Sequence, residues 1–282
     1  MPDPVDDDPE ASPPPPVLRR VEGGVVWITL NRPEAGNALT ADMREQIIAW
    51  LEEASDDLAA RAVVLTGTGE KGFCTGADLR SAAAAPARPA GAPRLAVGDA
   101  ARQIRTGWQR LVSAVLDCEK PVVGAVNATA AGGGMHLALA CDLVLAAEEA
   151  KFIEVFVRRG IAPDAGGAYL LPRLIGPQRA KELFFFGDDV PAREAERLGL
   201  VNRVVPRAEL ASLAADWAGR LASGPTKAIA MAKYLTNRAL ESDRATALWD
   251  EAAAQELITG SQDCAEGLAA FAERRSPVFK GW

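Results

Sequence analysis

A run of three glycines in the middle of the chain is the stretch best suited to chemistry. Gly132–Gly134 follow the apolar run 121–126 and the small residues 127–131, and they precede the helix-forming residues 135–140. This order predicts a buried strand, a turn and a helix. The first N–H groups of a helix lack partners within it, and glycine lets a ligand approach the main chain. The turn is therefore either an anion or oxyanion site made of backbone or a place of tight helix–strand packing.

A second glycine turn, Phe73–Leu79, comes after the predicted strand 62–66 and the loop 67–72. In open α/β sheets, ligands bind beyond the carboxyl ends of the strands. Each glycine turn can supply one backbone N–H. Two N–H groups aimed at one point form an oxyanion hole, which stabilises the charge that develops on a carbonyl oxygen.

One histidine, His136, lies just after the glycine run on a helix rich in alanine and leucine. An imidazole exchanges protons near neutral pH and could act as an acid or base. The same apolar position also suits a core histidine with a satisfied side chain, so both roles stay open.

The elements that position these residues alternate between strands and helices. Thr40 is placed to cap a helix over about 41–58, and Pro177 begins a helix through about 185. The other predicted strands are 25–30, 142–146, 151–153 and 200–205, and a further helix covers about 99–117. The pattern predicts an α/β core over 17–205 and a helical C-terminal region over 206–282.

Residues 1–16 differ in composition from the rest of the chain. They contain five acidic residues, no basic residue and four consecutive prolines, which predicts a disordered tail. The tail carries most of the formal charge of −7, so the remaining body is nearly neutral. Nucleic acid and anionic membrane are therefore disfavoured as partners.

The four cysteines are separated along the chain and form no CxxC pair. No leader-like segment opens the chain, and no apolar run is long enough to span a bilayer. These features predict reduced thiols in a cytoplasmic protein. With one histidine and no cysteine cluster, a structural zinc site is disfavoured.

Several segments, in chain order, resemble the signatures of the enoyl-CoA hydratase/isomerase (crotonase) superfamily. The four principal ones are 30–39, 73–79, 132–142 and 160–167, and the stretches 198–205 and 266–279 match further family patterns. The resemblance covers about residues 17–282 without large gaps. Each motif is weak alone, but together and in register they are specific.

The resemblance implies an α/β fold with a crotonase-like spiral of ββα turns and a helical C-terminal trimerisation region. It implies assembly as a homotrimer or as a hexamer of two trimers. It also implies an acyl-CoA thioester as ligand, with coenzyme A as part of the substrate and no separate cofactor or metal.

The resemblance also assigns site residues. The oxyanion donors would be the N–H groups of Ala77 and Gly133, and in similar proteins the main chain at 34–38 and 75–79 binds the adenine end of CoA. The residues expected to contact the thioester or CoA are Glu34, Ala35, Ala38, Thr75, Gly76, Ala77, Asp78, Leu79, Gly132, Gly133, Phe156 and Pro163. Arg80, and Lys280 of the partner subunit, either meet the CoA phosphates or are solvated surface charges.

Two departures from the family pattern affect the expected chemistry. Family hydratases hold and activate water with two glutamates, whose positions here carry His136 and Phe156. Phenylalanine cannot transfer a proton, so hydration by two glutamates is not expected. Glu154 could replace the second glutamate only if the local register slipped. The position of His136 faces the acyl pocket in relatives, which makes it a candidate catalytic residue.

Asp164 stands where hydratases usually have glycine. Ring-opening epoxyphenylacetyl-CoA isomerase, dienoyl-CoA isomerase and hydroxyisobutyryl-CoA hydrolases have aspartate there, and the latter two also have a glutamate at the position of Phe156. Apolar neighbours at 161–163 should raise the pKa of the Asp164 carboxyl. We therefore predict that Asp164 is the proton shuttle of an isomerase. The alternative is that it caps the helical turn near Gly166.

Three functions follow from these residues. An acyl-CoA isomerase is favoured. A hydratase or hydrolase with non-standard acid and base groups, and a non-catalytic acyl-CoA-binding relative, are the alternatives. A nucleotide-binding Rossmann protein is disfavoured because no GxGxxG follows the first strand.

Overall fold

The structure is a computed structural model that describes residues 14–80, 89–93 and 96–282. Most of the predicted tail and part of the segment 81–98 lie outside these ranges. Asn31 donates to the carbonyls of Pro16 and Pro15, from its backbone N–H at 2.8 Å and from its side chain at 3.0 Å. Pro15 and Pro16, which the sequence assigns to the tail, are therefore hydrogen-bonded to the residue that follows the predicted strand 25–30.

The described residues form strands and helices in the alternating order that the sequence predicts. The strands are β1 (Val17–Glu22), β2 (Val25–Leu30), β3 (Ala62–Gly67), β4 (Gly72–Cys74), β5 (Val122–Val126), β6 (Thr129–Ala131), β7 (Leu143–Ala147), β8 (Lys151–Ile153), β9 (Asp189–Pro191) and β10 (Arg203–Val205). The helices are α1 (Ala41–Asp56), α2 (Asp99–Ile104), α3 (Arg110–Asp117), α4 (Gly133–Leu139), α5 (Gly167–Ile175), α6 (Pro177–Phe186), α7 (Ala192–Leu198), α8 (Arg207–Ala222), α9 (Thr226–Ala239), α10 (Arg244–Thr259) and α11 (Gln262–Glu273).

Two sheets organise the core of the described chain. The larger has the order β1-β2-β3-β5-β7-β10, with an antiparallel β1–β2 hairpin and parallel pairing elsewhere. The smaller has the order β4-β6-β8-β9, parallel except for β8–β9. Consecutive strands alternate between the sheets, from β3 to β4, from β5 to β6 and from β7 to β8. With the helices that follow, they give the repeated ββα turns that the family resemblance implies.

The predicted turn over residues 127–131 is wrong in its second half. Thr129–Ala131 form β6, which pairs with both β4 and β8. Strands of three residues are too short to show a period of two in the sequence, so only their pairing identifies them.

Both faces of the larger sheet are buried, which explains the continuous apolar runs of its parallel strands. Val26 and Ile28 belong to the same buried cluster as Ile47 and Leu51 of α1. Alternate residues point to the other face, where they pack against α8. These residues include Val25, Trp27, Val64, Val123, Leu210, Ala214 and Ala218.

The predicted helix cap at Thr40 is confirmed. Its side-chain oxygen accepts a hydrogen bond from the N–H of Met43 at 3.3 Å, and α1 begins at the next residue. The side chain thus satisfies one of the N–H groups left free at the helix start.

Arg61 fastens the C-terminal region to the core. Its guanidinium donates to the carbonyl of Gly224 at 2.6 Å, the hydroxyl of Thr226 at 3.0 Å and the carbonyl of Phe279 at 3.1 Å. Because Arg61 immediately precedes β3, these bonds hold the start of α9 and the end of the chain beside the larger sheet.

No helix in the described residues has both the length and the apolar character needed to cross a membrane.

Candidate active site

The two segments expected to bind CoA lie side by side. The N–H of Thr75 donates to the carbonyl of Gly36 at 3.1 Å. Arg32 links the segments further, since it donates to the carbonyl of Ala38 at 2.9 Å and forms an ion pair with Asp78 at 3.0 Å. The structure therefore brings together the predicted positions of 34–38 and 75–79.

The side chain of Asn37 stabilises this pair of loops through hydrogen bonds. It is fully buried, and its amide donates to the carbonyls of Thr68 at 2.9 Å and Gly72 at 2.7 Å. Its side-chain oxygen accepts from the N–H of Arg32 at 2.7 Å. Its backbone is left-handed, with φ of 55°, a conformation that asparagine tolerates better than most residues. Asn37 belongs to the first family signature, but its type and position in the sequence do not reveal this positioning role.

Replacing Asn37 with glycine should lower the free energy of unfolding by about 2–4 kcal/mol, because three hydrogen bonds of a buried side chain are lost. Asn37→Ala should cost about 1 kcal/mol more, because alanine is strained at positive φ. Urea unfolding of both variants measures the two contributions separately. Equal stability of the asparagine and glycine proteins would contradict the role given to the amide.

The predicted oxyanion donors lie in two adjacent turns. A Cβ built on Gly76 would lie 3.2 Å from the carbonyl oxygen of Ala131 and 3.6 Å from the nitrogen of Gly133. Leu39 forms hydrogen bonds with both neighbours of Ala77. Its N–H donates to the carbonyl of Gly76, and its carbonyl accepts from the N–H of Asp78. Within the described chain, the N–H groups of Ala77 and Gly133 donate no hydrogen bond. Both donors are thus available for a ligand oxygen.

Close contacts explain the glycine run that precedes the helix. A Cβ on Gly134 would overlap the carbonyl oxygen of Cys74, so α4 packs directly on the main chain of β4. A Cβ on Gly133 would lie 2.9 Å from three consecutive ring atoms of Trp108, so the indole covers this residue face-on. Gly134 therefore serves packing, whereas Gly133 both packs against Trp108 and keeps an N–H without a partner among the described residues.

His136 and Glu154 form a buried pair. The Nε2 atom of His136 lies 2.8 Å from Oε1 of Glu154, and neither side chain has meaningful solvent exposure. The imidazole stacks on Phe156, with ring centroids 5.3 Å apart and planes 18° from parallel. Nδ1 of His136 and Oε2 of Glu154 have no hydrogen-bond partner among the described residues.

The pairing of β6 with β8 brings these two residues together. Ala131 lies opposite Ile153, and the N–H of Gly132 donates to the carbonyl of Ile153 at 2.9 Å. Glu154 therefore emerges beside the glycine run, and His136 lies one helical turn beyond it. Glu154 was considered only as a substitute for a glutamate at position 156. The structure instead places it against His136 without any change of register.

Asp164 is a half-buried carboxyl that lies shortly before α5 in the chain. Burial raises the pKa of Asp164 above its ordinary value, and the charge of His136 partly opposes the rise. The residue that caps α5 is Gly166, and no side chain accepts a capping hydrogen bond there. The alternative role of Asp164 as a cap of α5 is therefore not supported.

Trp108 and Gln109 are site residues that sequence analysis missed. Both lie in a π-helical turn, Arg105–Gln109, that interrupts the single helix predicted over 99–117. The amide of Gln109 donates to the carbonyl of Asp164 at 3.2 Å. Helical turns of this kind are frequent at functional sites. The pattern of apolar residues in this segment gave no signal of the interruption.

The remaining predicted residues make less specific contacts. Phe156 is buried against His136 and Gly132, and Pro163 is partly buried beside Asp164. Leu79 is 76% exposed. Arg80 extends into solvent and contacts Asp78 at 3.7 Å. A phosphate-binding role for Arg80 or Lys280 stays a prediction.

The sequence matches a known family along almost its whole length. The family model for enoyl-CoA hydratase/isomerase matches residues 20–282. The chain is 38% identical over 265 residues to 1,2-epoxyphenylacetyl-CoA isomerase of Escherichia coli, with 94% of this chain and 98% of that one covered. It is 39% identical over 266 residues to crotonyl-CoA hydratase of Syntrophomonas wolfei, with 93% and 97% covered.

The fold is equally similar to solved structures. The crystal structure of enoyl-CoA hydratase from Bacillus anthracis superimposes with a TM-score of 0.85 at 37% identity, and covers 95% of this chain and 100% of that one. This similarity confirms the expected crotonase-like α/β fold. It also accounts for the helical region that follows the core.

Proposed function

Because the chain belongs to the enoyl-CoA hydratase/isomerase family, we propose that it is an acyl-CoA isomerase. The observation that carries the proposal is Asp164, a half-buried carboxyl of raised pKa. By resemblance to the family motifs, His136 and Phe156 stand at the positions of the water-activating glutamates, so neither position offers a carboxylate. One carboxyl that exchanges protons is sufficient for isomerisation.

The proposed reaction begins with the thioester carbonyl oxygen between the N–H groups of Ala77 and Gly133. The carboxylate of Asp164 takes a proton from the acyl chain, and the electron pair of the C–H bond moves into a dienolate whose charge rests on the thioester oxygen. The two N–H groups stabilise that charge. Protonated Asp164 then returns the proton to a different carbon, which shifts the double bond and restores the carboxylate.

Hydration is the second candidate function. It is favoured by the presence of a second acid and base pair, His136 and Glu154, next to the same turn. The identity to a crotonyl-CoA hydratase supports it as well. Against it, Glu154 is 2% exposed and already accepts a hydrogen bond from the imidazole.

Turnover of a panel of acyl-CoA esters distinguishes these functions. The panel should contain 2-enoyl, 3-enoyl and epoxyphenylacetyl thioesters, with products analysed by mass spectrometry and NMR. Isomerisation keeps the mass and moves the double bond or opens the epoxide, whereas hydration adds one water. Products that are only hydrated would overturn the isomerase proposal. Binding without turnover would indicate a non-catalytic relative.

We also propose that the protein assembles as a homotrimer or hexamer through its C-terminal helices. Large apolar side chains on α10 and α11 are exposed, among them Trp249 at 74% and Phe271 at 85%. Exposed apolar patches of this kind mark interaction surfaces. The cysteines, all free in the structure, support a reducing compartment such as the cytoplasm.

Sedimentation at micromolar protein should give a trimer or hexamer. Trp249→Asp and Phe271→Asp should shift the protein toward monomer, because a buried charge at an apolar interface is costly. Leu58→Asp is the matched control, since Leu58 is also exposed, at 56%, but lies outside the C-terminal region. A monomeric wild-type protein would contradict the proposed assembly.

A further inference from the structure

The buried pair of His136 and Glu154 constrains the chemistry of the imidazole. A carboxylate can only accept a hydrogen bond. With Glu154 ionised, the contact between Nε2 and Oε1 at 2.8 Å requires a ring proton on Nε2. In the neutral imidazole, Nδ1 is then the remaining acceptor. That atom is buried and has no partner among the described residues.

The surroundings allow little freedom in the orientation of the ring. Phe156 stacks on one face of the imidazole. A Cβ on Gly167, the first residue of α5, would overlap Nε2, so the backbone of this helix closes the edge that faces Glu154. Sliding or tilting the ring is blocked, and Glu154 selects which nitrogen carries the proton. Groups that orient a catalytic or metal-binding histidine act in the same way.

We propose that Glu154 is a positioning residue that holds His136 in the Nε2–H tautomer, so that Nδ1 is the one hydrogen-bond acceptor that the neutral imidazole offers to the site. The role in the reaction rests on the proposed isomerase function. The tautomer does not, because Glu154 sets it in the free protein. His136 undergoes no net change: Asp164 gains a proton from the acyl chain and gives the same proton back.

The buried position of Nδ1 supports this arrangement. Nδ1 has no hydrogen-bond partner among the described residues. A buried acceptor without a partner is costly unless a bound group satisfies it, so we assign to Nδ1 a contact with the bound substrate or with a protonated group of the site.

The chain contains a single histidine, which makes the tautomer directly measurable. Protein labelled with ¹⁵N-histidine should show one imidazole, whose two nitrogen resonances report the protonation of each atom. In ligand-free wild-type protein above neutral pH we expect a proton-bearing Nε2 and an unprotonated Nδ1. A spectrum with the proton on Nδ1 would overturn the proposal, whatever the catalytic activity.

Two variants test whether Glu154 sets the tautomer. Glu154→Gln presents an amide that can donate as well as accept, so a mixture of tautomers should replace the single form. Gly167→Ala keeps the helix but pushes the ring off Glu154, and the same change is expected. Glu148→Gln, an exposed glutamate paired with Arg193, is the control. An unchanged tautomer in both test variants would refute the positioning role.

One replacement of His136 tests Nδ1 itself. A glutamine amide nitrogen can reach the Nε2 position and keep the bond to Glu154, but it leaves no acceptor at Nδ1. If Nδ1 serves the reaction, His136→Gln should fold, keep its KM and lose about tenfold in kcat, the usual effect of one hydrogen bond.

A His136→Gln protein with wild-type kcat would show that His136 has only a structural role. The failure of the proposed function would look different. The wild-type protein would then isomerise no thioester of the panel, while the tautomer seen by NMR would still report on Glu154.

Discussion

Isomerisation by the Asp164→Asn protein is expected to be slower than wild type by roughly 10²–10⁴-fold, the cost of losing a general acid and base. Asparagine has nearly the same shape but cannot carry the proton between two carbons. Asp164 caps no helix in the structure, so the variant should fold and bind acyl-CoA normally. The measurements are kcat for the isomerised thioester and binding of the same thioester by calorimetry.

A matched control for this variant is Asp188→Asn, which changes an exposed aspartate and should leave both quantities unchanged. Isomerase activity at the wild-type rate in the Asp164→Asn protein would remove Asp164 from the mechanism. The proton transfer would then have to be assigned to His136 or Glu154.

The same carboxyl predicts the pH dependence of the wild-type enzyme. Burial raises the pKa of Asp164, and a base must be deprotonated to accept a proton. The value of kcat/KM should therefore fall as the pH drops through this raised pKa. The acid limb should lie above the ordinary aspartate value of about 3.9, and Asp164→Asn should abolish it. An acid limb at or below that value would contradict the assignment.

Replacing Gly133 with proline is expected to lower turnover by about 10²–10³-fold, because it removes one of the two N–H groups offered to the thioester oxygen. The substitution falls on the first residue of α4, where proline is compatible with the helix. KM should change less than kcat, since the donor acts mainly on the charge formed in the reaction.

The packing of Trp108 supplies the control for this experiment. Any side chain at position 133 presses on the indole, so part of the proline effect could come from packing. Gly133→Ala introduces the same contact and keeps the N–H. Turnover that falls equally in the alanine and proline proteins would show that the N–H of Gly133 is not an oxyanion donor.

Elements with a strong local pattern could be predicted from the sequence. Helix α1 is an example, because Met43, Ile47, Ile48 and Leu51 recur at helical spacing after a capping threonine. Strand β1 has no such pattern and is not predicted from the sequence. Val17–Glu22 lies at the edge of the larger sheet with most of its residues exposed, and an exposed edge strand need not alternate between apolar and polar residues.

The candidate site was predictable where it depends on one segment and not where it depends on pairing. The two glycine turns and Asp164 can be identified from their own motifs. The pair of His136 and Glu154 exists because β6 and β8 are neighbours, and the residues are 18 positions apart. The π-helical turn that places Trp108 and Gln109 is likewise set by packing against Gly133 and Asp164. Such contacts have no local signature in the sequence.

The glycine run also determines how this protein can diverge. A Cβ at Gly134 would overlap the backbone carbonyl of Cys74. Because every residue has this carbonyl, no substitution at position 74 makes room for a side chain at 134. Position 134 should therefore remain glycine through evolution. Gly133 is opposed by a side chain, that of Trp108. A smaller residue at position 108 would create room for alanine at 133. In descendants of this sequence, substitutions at positions 108 and 133 should therefore occur together. Such a pair of substitutions changes the shape of the acyl pocket and keeps the backbone N–H of residue 133.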